Sequence, residues 1–229
     1  MVYLSFIAFI MFFGYVLGSL NFSILISNFF FKSEIRNLGS GNAGATNMLR
    51  NFGKLAGLFT FLFDFLKGFF RVFLVNFWCG IFINVYKEFS DFYKSEFIFM
   101  NFEMCALFAV VVGHIFPLFY KFKGGKGIST FAGALLAYQL KVFVIVFLVF
   151  LFIFLILKIV SISSICATIS FVFVNFLFLV FDFRLAVYFN FKMFVFIFLK
   201  SVLLAILIIV KHKLNIIRLM SGKEPKIGR

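Results

Sequence analysis

Four stretches free of Asp, Glu, Lys and Arg dominate this chain: Met1–Phe31, Met104–Tyr120, Val142–Leu157 and Ile159–Phe181. A helix that crosses a bilayer needs about 20 mainly apolar residues. Several runs of this kind in one chain leave too few charges to clothe a water-facing surface. Of the 229 residues, 64% are hydrophobic and 13% charged, whereas globular domains carry about 25% charged residues. A soluble domain is excluded, and the expected fold class is all-α, a polytopic integral membrane protein. The 44 phenylalanines fit lipid-facing helices and an A+T-rich coding bias, and they carry no chemistry. Cys79, Cys105 and Cys166 have no paired spacing and read as small buried hydrophobes. The first stretch lacks a basic leader and a small-residue cleavage pattern, so it reads as a retained helix.

Seven spans fit, near 3–28, 56–82, 101–120, 128–140, 142–158, 163–181 and 192–210. The fourth is short for a hydrocarbon core of about 30 Å. The second carries Asp64, Lys67 and Arg71 at i, i+3 and i+7, one helical face that must point into the bundle. Segments after the odd-numbered spans hold fourteen basic residues: Lys32, Arg36, Arg50, Lys54, Lys121, Lys123, Lys126, Lys158, Lys211, Lys213, Arg218, Lys223, Lys226 and Arg229. The opposite side holds five: Lys87, Lys94, Lys141, Arg184 and Lys192. This asymmetry places the N-terminus outside and the C-terminus in the cytoplasm. It also accounts for much of the net charge of +14 without a nucleic acid partner. The outer loop at 85–102 is assigned no chemistry.

Four segments carry the scarce polar residues. In Leu38–Arg50, three glycines alternate with small polar side chains: Ser40, Gly41, Asn42, Gly44, Thr46 and Asn47 precede Arg50. Glycines let backbone N–H groups turn toward one point, and an arginine fork matches phosphate oxygens. The arrangement suits an anion cradle but lacks the spacing of a P-loop. A flexible linker does not need Asn, Thr and Arg at this density. The second segment, Gly113–Gly127, begins inside the third span. It contains His114, then Pro117, which is expected to kink the helix. It ends in Lys123-Gly124-Gly125-Lys126-Gly127, a second phosphate-type site where a helix opens. A lysine cluster that only sets topology would not require three glycines. His114 alone reads equally as a structural hydrogen-bonder.

The third segment, Lys158–Ser164, places Ser161, Ser163 and Ser164 where serines usually cap a helix. The fourth, Lys211–Glu224, sets His212, Asn215 and Arg218 on roughly one face of a helix. Binding of anionic lipid heads would explain its lysines but not His212, Asn215 or Glu224. By span parity all four segments emerge on the cytoplasmic side. A phosphorylated soluble substrate meeting a lipid-soluble one at the membrane boundary is the chemistry implied.

These segments resemble the signature motifs of the bacterial acyl-phosphate:glycerol-3-phosphate acyltransferase family (PlsY). Ser40-Gly-Asn-x-Gly-Ala-Thr-Asn-x-x-Arg50 is similar to its first motif. Gly113-His-x-Phe-Pro with Phe122-Lys-Gly-Gly-Lys-Gly is similar to the second, and His212-x-x-Asn-Ile-x-Arg-Leu-x-x-Gly-x-Glu224 to the third. Asp64-x-x-Lys67-Gly68 and Lys158–Ser164 also resemble the family pattern, although Lys158 and Ile159 stand where arginine and tyrosine are frequent. The resemblance covers nearly the whole chain. It implies a single seven-span acyltransferase domain over residues 1–229 in the bacterial cytoplasmic membrane, with its active site inside. The reaction implied is acyl transfer from acyl phosphate to the 1-hydroxyl of glycerol 3-phosphate, giving lysophosphatidic acid and phosphate. Ser40, Arg50, Lys126, His212 and Asn215 would take catalytic roles. Gly41, Asn42, Gly44, Thr46, Asn47, His114, Lys123, Gly124, Gly125, Gly127, Ser161, Ser164, Arg218 and Glu224 would hold substrate. No metal or other cofactor is implied; membrane lipids and transient contact with the acyl-phosphate-forming enzyme are the further partners.

His212, His114 or a substrate phosphate oxygen could serve as general base. The H-x-x-x-x-D pattern of other glycerol phosphate acyltransferases is absent: Phe119 follows His114 at +5 and Ile217 follows His212. The paired aspartates of CDP-alcohol phosphotransferases are missing too. The competing class is a transporter of phosphate or a phosphorylated metabolite, which would usually show internal repeats and a midplane site.

Overall fold

The computed structural model describes residues 2–85, 96–181 and 191–226, and its regular structure there is entirely helical. Lys87, Lys94, Arg184 and Arg229 from the charge count, and most of the 85–102 loop, lie outside the described residues. The chain divides into two compact units, Met1–Phe82 with Cys105–Tyr138 and Ile83–Met104 with Gln139–Arg229.

In the first unit, the expected first span is two helices, α1 (Val2–Gly18) and α2 (Phe22–Phe31). The break has a local cause. Asn21 caps α2, its side chain accepting from the Ile24 N–H at 3.2 Å, and such a cap competes with continuation of the preceding helix. Helix α3 (Ala45–Phe52) and the 32-residue α4 (Lys54–Val85) follow. At 1.5 Å per residue α4 runs about 48 Å, more than a hydrocarbon core requires. Its Asp64 and Arg71 are buried, and the Lys67 ammonium is bonded inside the unit, as the spacing predicts. Helix α5 (Glu96–Ile115) ends before Pro117. Pro117 thus terminates the helix rather than kinking it, since it has no N–H and restricts the residue before it. A 3-10 turn at Leu118–Tyr120 leads toward α6 (Ile128–Tyr138).

Glycines bring these helices into close contact. A Cβ on Gly18 would overlap the Val110 carbonyl, and one on Gly113 the Tyr15 carbonyl, where α1 meets α5. Gly68 lies likewise against Thr130, and Gly133 against Phe65, where α4 meets α6. Such contacts are how membrane helices gain van der Waals attraction, because lipid tails leave little hydrophobic drive between them. The 11 residues of α6 are too few to cross alone, and this contact packs the short helix against the long one.

The second unit holds α7 (Leu140–Leu157), α8 (Val160–Phe181), α9 (Phe191–Lys211) and α10 (Lys213–Met220). Lys158 closes α7 in the left-handed region at φ 60°, which permits the tight turn into α8. Inside this apolar unit, Asn175 donates to the Ser201 hydroxyl at 2.8 Å, tying α8 to α9, and Lys200 donates to Asn101 at 2.6 Å. Much of α7 is exposed, including Phe147, Leu148 and Phe152, consistent with a lipid-facing surface.

Among the described residues, five segments are long and apolar enough to cross a membrane: Tyr3–Phe31, Phe99–Tyr120, Leu140–Leu157, Val160–Phe181 and Phe191–Lys211. Two further expected spans correspond to α4, which carries charges, and to α6, which is short.

Candidate active site

The Leu38–Arg50 loop is organised around one side chain. Asn47 is buried, and its Nδ2 lies 3.2, 2.9 and 3.1 Å from the Ile35, Leu38 and Asn42 carbonyls. Its Oδ1 accepts from the Ser40 N–H at 3.1 Å and from Asn51 at 3.0 Å. Gly39 and Gly41 take φ of 54° and 70°, left-handed turns that side chains disfavour. Below the loop, Ile24, Ile35, Ala43, Met48 and Ala56 form an apolar floor. The Ser40 and Thr46 hydroxyls, the Asn42 amide and the exposed Arg50 guanidinium make no hydrogen bond with the described residues. A fixed backbone thus carries unengaged donors, the arrangement an anion requires. Replacing Asn47 by alanine should lower stability by about 1–3 kcal/mol, because it strands buried partners. Activity should fall on the order of a hundredfold as Ser40 and Arg50 lose register; thermal unfolding and turnover check both.

A second loop is fastened to the first. Arg36 donates from Nη1 to the Tyr120 and Lys123 carbonyls at 2.9 and 3.1 Å. Glu34 holds it, accepting from Nε at 3.0 Å and Nη2 at 2.8 Å, and that pairing keeps the Glu34 carboxyl below its ordinary range. Asn21 donates to the Ala43 carbonyl at 3.5 Å while accepting from Ser23 at 2.6 Å. Gly124 and Gly125 donate their N–H groups to the Ile115 and His114 carbonyls, each at 3.2 Å. These two glycines therefore supply close approach, not free donors. A Cβ on Gly124 would overlap the His114 carbonyl; one on Gly125 would overlap the Ala43 carbonyl and His114 Nε2. Gly127 turns at φ 87° into α6. Lys126 is half-buried and Lys123 exposed.

Beneath this loop lies a polar cluster. Lys67 Nζ donates to Asp64 Oδ1 at 2.7 Å and the Leu20 carbonyl at 2.6 Å, and stands 3.0 Å from His114 Nδ1. Thr130 Oγ1 is 3.3 Å from the same nitrogen. The Asp64 side chain is 1% exposed and that of Lys67 8%.

In the second unit Glu224 is the hub. It accepts from Ser161 Oγ at 2.8 Å, Asn215 Nδ2 at 2.6 Å and Arg218 Nε at 2.7 Å. The serines do not cap α8: Ser163 and Ser164 donate to the Ile159 and Val160 carbonyls one turn back, and Ser161 reaches the tail. Asn215 and Arg218 share a face of α10, as their spacing predicts, whereas His212 sits at its N-cap position. His212 Nδ1 lies 2.8 Å from the Ile208 carbonyl. A carbonyl only accepts, so Nδ1 carries the proton and Nε2 the lone pair.

Burial pushes the Glu224 carboxyl up, but the bonds from Arg218, Asn215 and Ser161 outweigh it and hold the group below its ordinary 4.5. A lowered carboxylate contributes stability that is complete above the ordinary value and lost as pH falls through the native one. Docking of the tail should therefore persist through pH 4.5 and fail below it. Hydrogen exchange in α10 against pH checks this, and Glu224→Gln should flatten the profile.

Each unit thus gathers its own motif segments: the first two by Arg36 and the contact of Gly125 with Ala43, the last two by Glu224. Sequence reasoning missed Asn21, the Glu34–Arg36 fork and Thr130. It noted Asp64 and Lys67 without assigning them to the site, although an i, i+3 charge pair in an apolar helix is itself a signal.

The family model described as Glycerol-3-phosphate acyltransferase matches residues 8–222. A glycerol-3-phosphate acyltransferase of Francisella tularensis subsp. mediasiatica is 35% identical over 222 residues, 96% of this chain and 92% of its own. One of Finegoldia magna is 37% identical over 215 residues, 94% of this chain and 93% of its own. The crystal structure of PlsY, an integral membrane glycerol 3-phosphate acyltransferase, in its glycerol 3-phosphate form superposes with a TM-score of 0.74 at 35% identity. That match covers 97% of this chain and 96% of the other; the lysophosphatidic acid form gives 0.70. The chain belongs to the glycerol-3-phosphate acyltransferase family. Membership decides between the two classes left open by the sequence, in favour of the enzyme over the transporter.

Proposed function

We propose that this enzyme transfers a fatty acyl group from acyl phosphate to the sn-1 hydroxyl of glycerol 3-phosphate, the first step of phospholipid synthesis. The glycerol oxygen forms the new ester as the acyl–phosphate bond breaks. The hydroxyl proton passes to a base, and inorganic phosphate leaves with lysophosphatidic acid. The observation that carries this reading is the Asn47-braced loop, whose unengaged Ser40, Thr46 and Arg50 groups match a phosphoryl oxyanion.

Acyl phosphate is a mixed anhydride with a good leaving group, so positioning and charge stabilisation supply most of what is needed. Two anionic charges about 5 Å apart repel by about 3 kcal/mol at an effective dielectric of 20. Arg50, Lys123 and Lys126 would offset that repulsion. Ser40, Arg50, Lys126, His212 and Asn215 act in catalysis. Gly41, Asn42, Gly44 and Thr46 line the cradle, and Gly124, Gly125 and Gly127 shape the glycerol-phosphate loop. Ser161, Ser164, Arg218 and Glu224 are assigned to substrate binding, and residues 1–229 to a single acyltransferase domain. Seven spans, with α4 and α6 among them, put the N-terminus outside and all four segments on the cytoplasmic face of a bacterial cell membrane. There the enzyme that forms acyl phosphate could meet them transiently.

Purified protein in detergent should release phosphate only when both acyl phosphate and glycerol 3-phosphate are present. Release with neither dependence, or acyl transfer solely from acyl-carrier thioesters, would overturn the donor assignment.

A further inference from the structure

The two histidines of the chain are held in different ways, and the difference bears on which one can move a proton. His212 faces a carbonyl through Nδ1, which leaves its Nε2 as the basic nitrogen. His114 faces an ammonium. Lys67, ion-paired with the buried Asp64, directs its three N–H bonds at Asp64 Oδ1, the Leu20 carbonyl and His114 Nδ1. Two donors cannot share that contact, so Nδ1 must present its lone pair. The Thr130 hydroxyl, 3.3 Å away, can donate to the same nitrogen. Asp64 Oδ1 stands farther from it, at 3.5 Å, the longest of the three contacts at that nitrogen. In the neutral ring the proton then lies on Nε2, and Nε2 abuts Gly125 where that glycine meets the Ala43 carbonyl. Gly125 belongs to the second loop and Ala43 to the first.

We propose that Lys67, anchored by Asp64 and the Leu20 carbonyl, is a positioning residue that fixes His114 as the Nε2–H tautomer, so that His114 braces the junction of the two phosphate loops and takes no part in proton transfer. This rests on the acyltransferase reading for its consequence in turnover, but the tautomer itself does not. Of the three general bases compatible with the sequence, only His212 and a substrate phosphate are left. The cluster also explains why an aspartate and a lysine tolerate burial in a membrane helix: each satisfies the other, and the surplus N–H bonds reach a carbonyl and an imidazole.

The test is nitrogen NMR of the full chain in detergent with labelled histidine, which gives only two rings to assign. One ring should show a protonated Nδ1 and the other a protonated Nε2, and the second should vanish in His114→Gln. Lys67→Met should convert that ring away from the Nε2–H form. Two Nδ1–H rings in the native protein, or an unchanged His114 in Lys67→Met, would overturn the proposal. Kinetics give an independent reading. His114→Ala should raise KM for glycerol 3-phosphate about tenfold through a loosened loop. Glutamine, whose amide N–H can stand where Nε2–H stood, should restore most of that loss. A general base at His114 would instead show both variants down by about 10²–10⁴ in kcat, and that outcome also overturns the proposal. If neither protein nor variants transfer acyl groups at all, the acyltransferase reading fails while the tautomer assignment stands or falls on the spectra.

Discussion

Arg50→Ala is expected to lower kcat/KM by about 10²–10³, the loss seen when one preorganised oxyanion donor is removed. The melting temperature should stay where it was. The guanidinium is exposed and makes no hydrogen bond with the described residues, so its removal strands nothing. It also stands in the last turn of α3, whose start is set by the loop that Asn47 braces. Surface substitutions of this kind usually change stability by less than about 0.5 kcal/mol. Arg50→Lys retains the charge but not the fork and should fall between wild type and alanine. Lys126→Ala is expected to act through the same charge on substrate phosphate. A fall in melting temperature that matched the loss of activity would assign Arg50 to the fold instead.

Gly125→Ala should be as damaging for the opposite reason. One methyl group would overlap the Ala43 carbonyl, a backbone atom, and the His114 ring, which Lys67 and Thr130 hold. Neither can swing aside as the tip of a flexible chain could. The loops must part, and overpacking of this kind costs about 1–3 kcal/mol. Displacement by about 1 Å at a reacting centre can cost about a hundredfold in rate. The expected result is a lower melting temperature together with near-complete loss of turnover. Comparison with Arg50→Ala separates binding from architecture, since only the glycine variant should move both measurements.

The membrane class and the four polar segments are legible in the sequence, because in a chain this apolar every charge, glycine and histidine stands out. Asp64 and Lys67 belong to that readable set. The Glu34–Arg36 fork is not readable: it acts on Tyr120 and Lys123, 84 and 87 positions away, and Arg36 counts in the sequence only as one more positive charge. The break in the first span escapes hydropathy because Ser19, Leu20 and Asn21 add no charge; only the cap on Ile24 ends one helix and starts another.

The glycines make the same division in miniature. From the sequence, Gly124 and Gly125 suggest free backbone donors; in the folded chain those N–H groups already bond the end of α5, and the residues are small because another loop lies against them. Hydropathy and residue scarcity, which are local sums, determine by themselves that this chain inhabits a membrane and which segments carry its chemistry. Tertiary structure alone decides which donors are left for substrate and which groups face the His114 ring. Those depend on partners that the chain brings together from far apart.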